Sequence, residues 1–126
     1  MSSTAIVVVS HSEKVAEGIK ELLQQVVGDV PVEAAGGSEI GGIGTSFERI
    51  QNALEKVRGT CDGTLVFYDL GSARMNAEMA IEMLDSESIQ LVTYPILEGA
   101  YLAAVESSID KPMDEIINSL KKEFDS

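Results

Sequence analysis

The stretch Thr4-Ala5-Ile6-Val7-Val8-Val9-Ser10-His11-Ser12 decides the fold. Its apolar, largely β-branched run is too continuous for a half-solvated strand and reads as one buried on both faces, as in a parallel sheet covered by helices. Immediately afterwards the period changes: Val15, Ile19, Leu22, Leu23 and Val26 recur at helical spacing over 13–27, and Gly28-Asp29 supplies a stop. The only histidine of the chain, His11, therefore stands in the turn between a buried strand and a helix. In open α/β sheets ligands and chemistry gather beyond the carboxyl ends of strands, where helix N-termini present unpaired N–H groups to anions. Fold position alone leaves two readings open, a phosphate nucleophile or a residue that merely ends the strand and caps the helix.

The rest of the chain repeats the alternation. A short strand through Val30-Pro31-Val32-Glu33-Ala34 runs into a glycine-rich loop, and the next helix carries Phe47, Ile50, Leu54 and Val57 on one face. A third strand, Gly63 to Tyr68, closes on Asp69; a helix with Met75, Met79, Met83 and Leu84 follows. A fourth strand over 89–94 stops at Pro95, and two helices near 98–107 and 113–124 complete the chain. The pattern predicts an α/β fold occupying 1–126 as one domain: a doubly wound, mainly parallel sheet of about four strands with helices on both faces. With strand order 2-1-3-4 the topological switch falls between strands 1 and 3, which brings His11 and Asp69 to one crevice.

Composition narrows the function. The net charge of −12 opposes binding to nucleic acid or anionic lipid, both of which need a basic surface. It favours protein partners with basic patches, although an acidic surface also serves solubility alone. No segment approaches the length of a membrane span and no basic, apolar leader opens the chain, so a cytoplasmic protein is expected. The single cysteine, Cys61, excludes a disulfide framework, and one histidine without clustered carboxylates makes no metal site.

A histidine accepts phosphate well when one ring nitrogen is free and the other is held by an acceptor that fixes the tautomer. Asp69 suits that role; it also suits the N-cap of the third helix, and both readings stand. Phosphoryl transfer is mostly alignment and charge stabilisation. Gly71, Ser72 and the amides of Ser12, Glu13 and Lys14 are candidate donors to the phosphoryl oxygens. The loop from Gly36 to Ser46 contains neither the lysine of a phosphate-binding Walker loop nor the last glycine of a dinucleotide fingerprint, whose place Phe47 takes. No bound nucleotide or other cofactor is expected. Its glycines more simply let backbone approach His11, with Thr45-Ser46 capping the second helix. No G-x-S-x-G elbow presents a serine, which argues against hydrolase chemistry. The Met75, Met79, Met83 stripe reads first as core packing.

Several segments, in order and over nearly the whole chain, carry a family resemblance. They are Val9-Ser10-His11-Ser12 with Ala16-Glu17-Gly18, Ala34-Ala35-Gly36-Gly37 leading to Gly42-Ile43-Gly44-Thr45-Ser46, Asp69-Leu70-Gly71-Ser72-Ala73-Arg74-Met75-Asn76-Ala77-Glu78, and Pro95-Ile96-Leu97-Glu98-Gly99-Ala100 with Ala103-Ala104-Val105. Together they resemble the DhaM family, phosphoryl-donor subunits of bacterial phosphotransferase-system-dependent dihydroxyacetone kinases, which share the fold of the mannose-family enzyme IIA. The resemblance implies a relay in which His11 takes a phosphoryl group from phospho-HPr and passes it to ADP held by DhaL, while DhaK holds dihydroxyacetone. It implies that Asp69 supports His11, that the protein is a homodimer, and that this is the short form lacking further HPr-like and enzyme-I-like domains; Ser72, at the start of the third helix, is the side chain expected to hydrogen-bond the phosphoryl group. Arg74, Met75, Gly44 and Thr45 flank the crevice and are candidate partner contacts. Ile40 departs from the polar residue usual before the glycines. The sugar-transport enzyme IIA is the nearest alternative, but its loop after strand 3 usually holds two glycines and a proline, where this chain has Leu70-Gly71-Ser72-Ala73-Arg74. A non-catalytic flavodoxin-like module with an incidental histidine is a third reading.

Overall fold

A computed structural model describes residues 3–84 and 87–125; Met1 and Ser2 of the opening stretch lie outside them. Four parallel strands, β1 (Thr4–Ser10), β2 (Val32–Gly36), β3 (Gly63–Tyr68) and β4 (Ile89–Leu91), form one sheet in the order β2-β1-β3-β4 among the described residues. The helices are α1 (Glu13–Val26), α2 (Phe47–Val57), α3 (Ala73–Leu84), α4 (Ile96–Ser108) and α5 (Met113–Phe124). The expected doubly wound architecture and strand order are both present.

β1 is buried along its whole length, which is why its sequence does not alternate. Its residues still divide by face. Ile6 and Val8 join Leu65, Phe67, Leu23, Ala100, Ala103 and Ile116 beneath α1, α4 and α5. Ala5, Val7 and Val9 join Val66, Ile50, Leu54 and Ala80 beneath α2 and α3. Two apolar layers thus clamp the central strands, and this rigidity fixes where β1 and β3 end.

Several boundaries and faces differ from the sequence reading. β2 starts two residues later, at Val32, because Pro31 has no N–H for the ladder and contributes only its carbonyl, to Ile6 N–H at 2.9 Å. β4 is shorter than expected: the ladder ends with Val92 N–H donating to the Val66 carbonyl at 3.0 Å, and Pro95 then opens α4. The methionine stripe is not core. Met75, Met79 and Met83 are 72%, 48% and 68% exposed, while the buried face of α3 is Ala73, Ala77, Ala80 and Leu84. Both stripes have helical spacing, and the smaller side chains face the sheet and let α3 approach it closely. Likewise α1 buries Ala16, Ile19 and Leu23 and leaves Val15, Leu22 and Val26 about half exposed.

Candidate functional site

The parallel register brings the site together. Val9 pairs with Tyr68, and the Asp69 N–H continues the ladder to the Val9 carbonyl at 3.2 Å, so Asp69 leaves β3 beside His11 leaving β1. His11 Nδ1 lies 3.0 Å from Asp69 Oδ1, and its Nε2 lies 2.7 Å from Ser72 Oγ. His11, Asp69 and Ser72 are therefore in one hydrogen-bonded row, with the two ionisable side chains only partly exposed.

Asp69 does not cap α3. That helix starts at Ala73, and the turn into it is closed by the Leu70 and Gly71 carbonyls, which accept from Ala73 and Arg74. The carboxylate instead accepts from four donors. Oδ1 takes the Leu70 N–H at 2.7 Å and faces the His11 ring; Oδ2 takes the His11 N–H at 3.1 Å and the Ser10 hydroxyl at 2.7 Å. Burial by itself raises this carboxyl, but the bonds from the His11 ring, the Ser10 hydroxyl and the two N–H groups outweigh it. Asp69 titrates below its ordinary value. A carboxylate only accepts, so the proton between the two side chains belongs to His11 Nδ1. In the neutral ring Nε2 then carries the lone pair, facing the Ser72 hydroxyl.

The glycine-rich loop supports the other side of His11. Gly44 N–H donates to the His11 carbonyl at 2.9 Å and Gly37 N–H to the Ser10 carbonyl at 3.2 Å. Gly36 must be glycine because a Cβ there would stand 2.7 Å from both Glu13 Cα and the Ser12 carbonyl oxygen. Gly44, with φ of 143°, adopts a conformation side chains rarely take. Of the expected Thr45-Ser46 cap, Ser46 alone caps α2, accepting the Arg49 N–H at 3.2 Å, while Thr45 Oγ1 accepts from Asn76 Nδ2 at 2.8 Å and ties the loop to α3. Ser12 caps α1 by accepting the Val15 N–H at 3.3 Å. The loop and the start of α1 enclose an open cleft of about 400 Å³ lined by Ser12, Glu13, Lys14, Gly41, Gly42 and Ile43.

Among charged side chains such as Glu13, Lys14 and Arg74, the loops and helix starts that form the site also expose large apolar ones, Ile40 at 96%, Ile43 at 79%, Leu70 at 59% and Met75 at 72%. Sequence reasoning named only Met75 of these as a partner contact; Ile43 and Leu70 sit in loops where hydrophobicity has no period to read. It also gave Ser10 no part in supporting His11, although a small polar residue ending an apolar strand beside the only histidine was a usable signal. Arg74, the other expected contact on α3, is exposed and paired with Glu78. Among the described residues no cluster of three metal-ligating side chains occurs, and no helix is long and apolar enough to cross a membrane.

The EIIA-man family, described as the PTS system fructose IIA component, matches residues 5–117. A Lactococcus lactis subsp. lactis (strain IL1403) protein, the phosphotransferase subunit DhaM of a PTS-dependent dihydroxyacetone kinase, is 42% identical over 117 residues, 93% of either chain. The chain belongs to the DhaM family. Another DhaM, the phosphoryl donor subunit of PEP-dependent dihydroxyacetone kinase 1 from Listeria innocua serovar 6a, is 40% identical over 92% of this chain and 91% of its own. Among solved structures, that of a protein of unknown function, EF1359, superimposes with a TM-score of 0.83 at 27% identity, covering 95% of this chain and 94% of that one.

Proposed function

We propose that this DhaM family member is a phosphohistidine carrier that takes a phosphoryl group from phospho-HPr on His11 Nε2 and gives it to ADP bound by a DhaL subunit. With DhaK holding dihydroxyacetone, the relay phosphorylates that substrate at the expense of phosphoenolpyruvate. The observation that carries the reading is the His11–Asp69 pair at 3.0 Å, whose carboxylate engages Nδ1 and leaves Nε2 with only the Ser72 hydroxyl as a neighbour in hydrogen-bond range.

In the first transfer the P–N bond to the donor imidazole breaks, its electron pair returning to that ring, and the Nε2 lone pair forms the new P–N bond. The His11 ring gains positive charge as this happens, and the fixed Asp69 anion stabilises it without rearranging. The Ser72 hydroxyl, 2.7 Å from Nε2, is placed to turn from the ring toward a phosphoryl oxygen. In the second transfer the ADP terminal oxygen attacks phosphorus and the electron pair returns to Nε2. Partner proteins dock over the site: Ile40, Ile43, Leu70 and Met75 provide the apolar rim, and Arg74 with the Gly44-Thr45 backbone the polar one. In this reading the carrier is a cytoplasmic homodimer. The apolar strip of Leu22, Val26, Leu97 and Tyr101 between α1 and α4 is surface that a second copy can cover.

Labelled phosphoenolpyruvate, enzyme I and HPr test the proposal directly. Acid-labile label is expected on the wild type and absent from His11→Ala, and chasing with ADP-loaded DhaL is expected to yield labelled ATP. Label passing to a sugar-transporter IIB domain and not to ADP would assign the chain to transport instead. Failure to label the wild type would remove the carrier function altogether.

A further inference from the structure

Ser10 ends β1 with no exposed surface, so its hydroxyl must find its partners within the protein. Its Oγ lies 3.0 Å from the Ser12 backbone nitrogen, whose N–H can only donate, and 2.7 Å from Asp69 Oδ2. With an oxygen lone pair taken by Ser12, the hydroxyl proton is directed at the carboxylate. We propose that Ser10 is a positioning residue for phosphoryl transfer, holding Asp69 as an oriented anion against His11 from the buried end of β1.

The four donors to Asp69 do not do the same job. The Leu70 and His11 N–H groups come from backbone adjoining the site and would follow it if the loops shifted. The His11 ring is the group being oriented. Ser10 is anchored in the sheet, in register with Gly36 of β2, and so references the carboxylate to the core of the fold. It also links Asp69 to the first turn of α1, since the Ser12 N–H that it accepts belongs to the residue capping that helix. Removing the hydroxyl leaves the charge partners of Asp69 in place. His11 is the titratable side chain bonded to it, Arg74 on α3 is engaged by Glu78, and Glu13 on α1 is engaged by Arg49. A residue needed only to satisfy the Ser12 N–H would affect stability without touching the carboxylate, and that separates the two roles.

The inference rests on His11 being the phosphoryl acceptor, and the experiment reads the two ideas separately. Carbon-detected NMR of the Asp69 carboxyl follows its titration in unphosphorylated protein, and single-turnover labelling by phospho-HPr follows transfer. Ser10→Ala is expected to raise the Asp69 midpoint by roughly half a unit to one unit, as the charged form loses a donor. It is expected to slow transfer about tenfold with HPr affinity unchanged. Ser10→Cys, a weaker donor of similar shape, is expected to fall between wild type and Ser10→Ala in both readouts, and serves if the alanine variant does not fold. A folded variant with an unmoved midpoint, or a moved midpoint with wild-type transfer, overturns the proposal. If the wild type takes no label, the carrier reading falls and the midpoint alone decides whether Ser10 holds Asp69.

Discussion

At the scale of single residues, the site is a chain of hydrogen bonds in which each donor and acceptor role is forced. Asp69 can only accept, so Nδ1 of His11 donates and, in the proposed transfer, Nε2 attacks; replacing Asp69 by Ala removes both the tautomer control and the counter-charge. Single-turnover transfer from phospho-HPr is expected to fall on the order of 10²-fold with HPr binding retained; an unchanged rate would leave Asp69 with no role in transfer. The depressed Asp69 carboxyl also has a thermodynamic signature. A group whose folded-state value lies below its unfolded one contributes stability above the unfolded value and loses it as pH falls through the folded one. Wild-type protein therefore loses this contribution as pH drops from about 4 downward. In urea titrations at several pH values the stability gap between wild type and Asp69→Asn is expected to narrow across that window; a gap that widens on acidification contradicts the hydrogen-bonding account.

At the scale of elements, what places the site is the end of each strand and the start of each helix. Gly36 shows the tolerance: an alanine Cβ would meet backbone atoms of Ser12 and Glu13 at 2.7 Å, so β2 and α1 must separate. Gly36→Ala is expected to cost about 1–3 kcal/mol in urea unfolding and to slow transfer by displacing the turn that carries His11. The two stripes of α3 give a second test. Met79→Gln and Met83→Gln are expected to change stability by less than about 0.5 kcal/mol, whereas Ala77→Met, at a position with no exposed surface, is expected to cost about 1–3 kcal/mol. These helices also show what was legible in the sequence. The presence of every helix followed from period, and the junction of His11 with Asp69 followed from topology once the strand order 2-1-3-4 was taken. The facing of α3 did not, because methionines and alanines alternate at the same spacing and only the distance to the sheet chooses between them. The proposed role of Ser10 has one signal in the sequence, a small polar residue ending an apolar strand beside the only histidine, but its bond to Asp69 depends on register, which a single strand does not reveal.

At the scale of the whole molecule, a carrier must offer the same atom to two partners in turn. In the proposed relay donor and acceptor each have to bring phosphorus into line with His11 Nε2, so both partners must cover the same surface, where the exposed side chains of Ile43 and Leu70, in the loops that flank His11 and Asp69, and of Met75 on α3 are available for contact. The net charge of −12 bears on how they arrive. Partners with basic docking faces are drawn in by the long-range field, and their association rates fall as salt screens it, while the apolar contacts that set residence time are little affected. Replacing Ile43 and Met75 together by alanine is expected to slow both transfers by faster partner dissociation, with the thermal midpoint unchanged because both side chains are largely exposed. In titration calorimetry HPr and the ADP-bearing subunit are expected to compete, each abolishing the heat of the other. Simultaneous binding of both would place one of them away from the rim and would require the phosphoryl group to reach it by a route that does not pass through Nε2 of His11 in this arrangement.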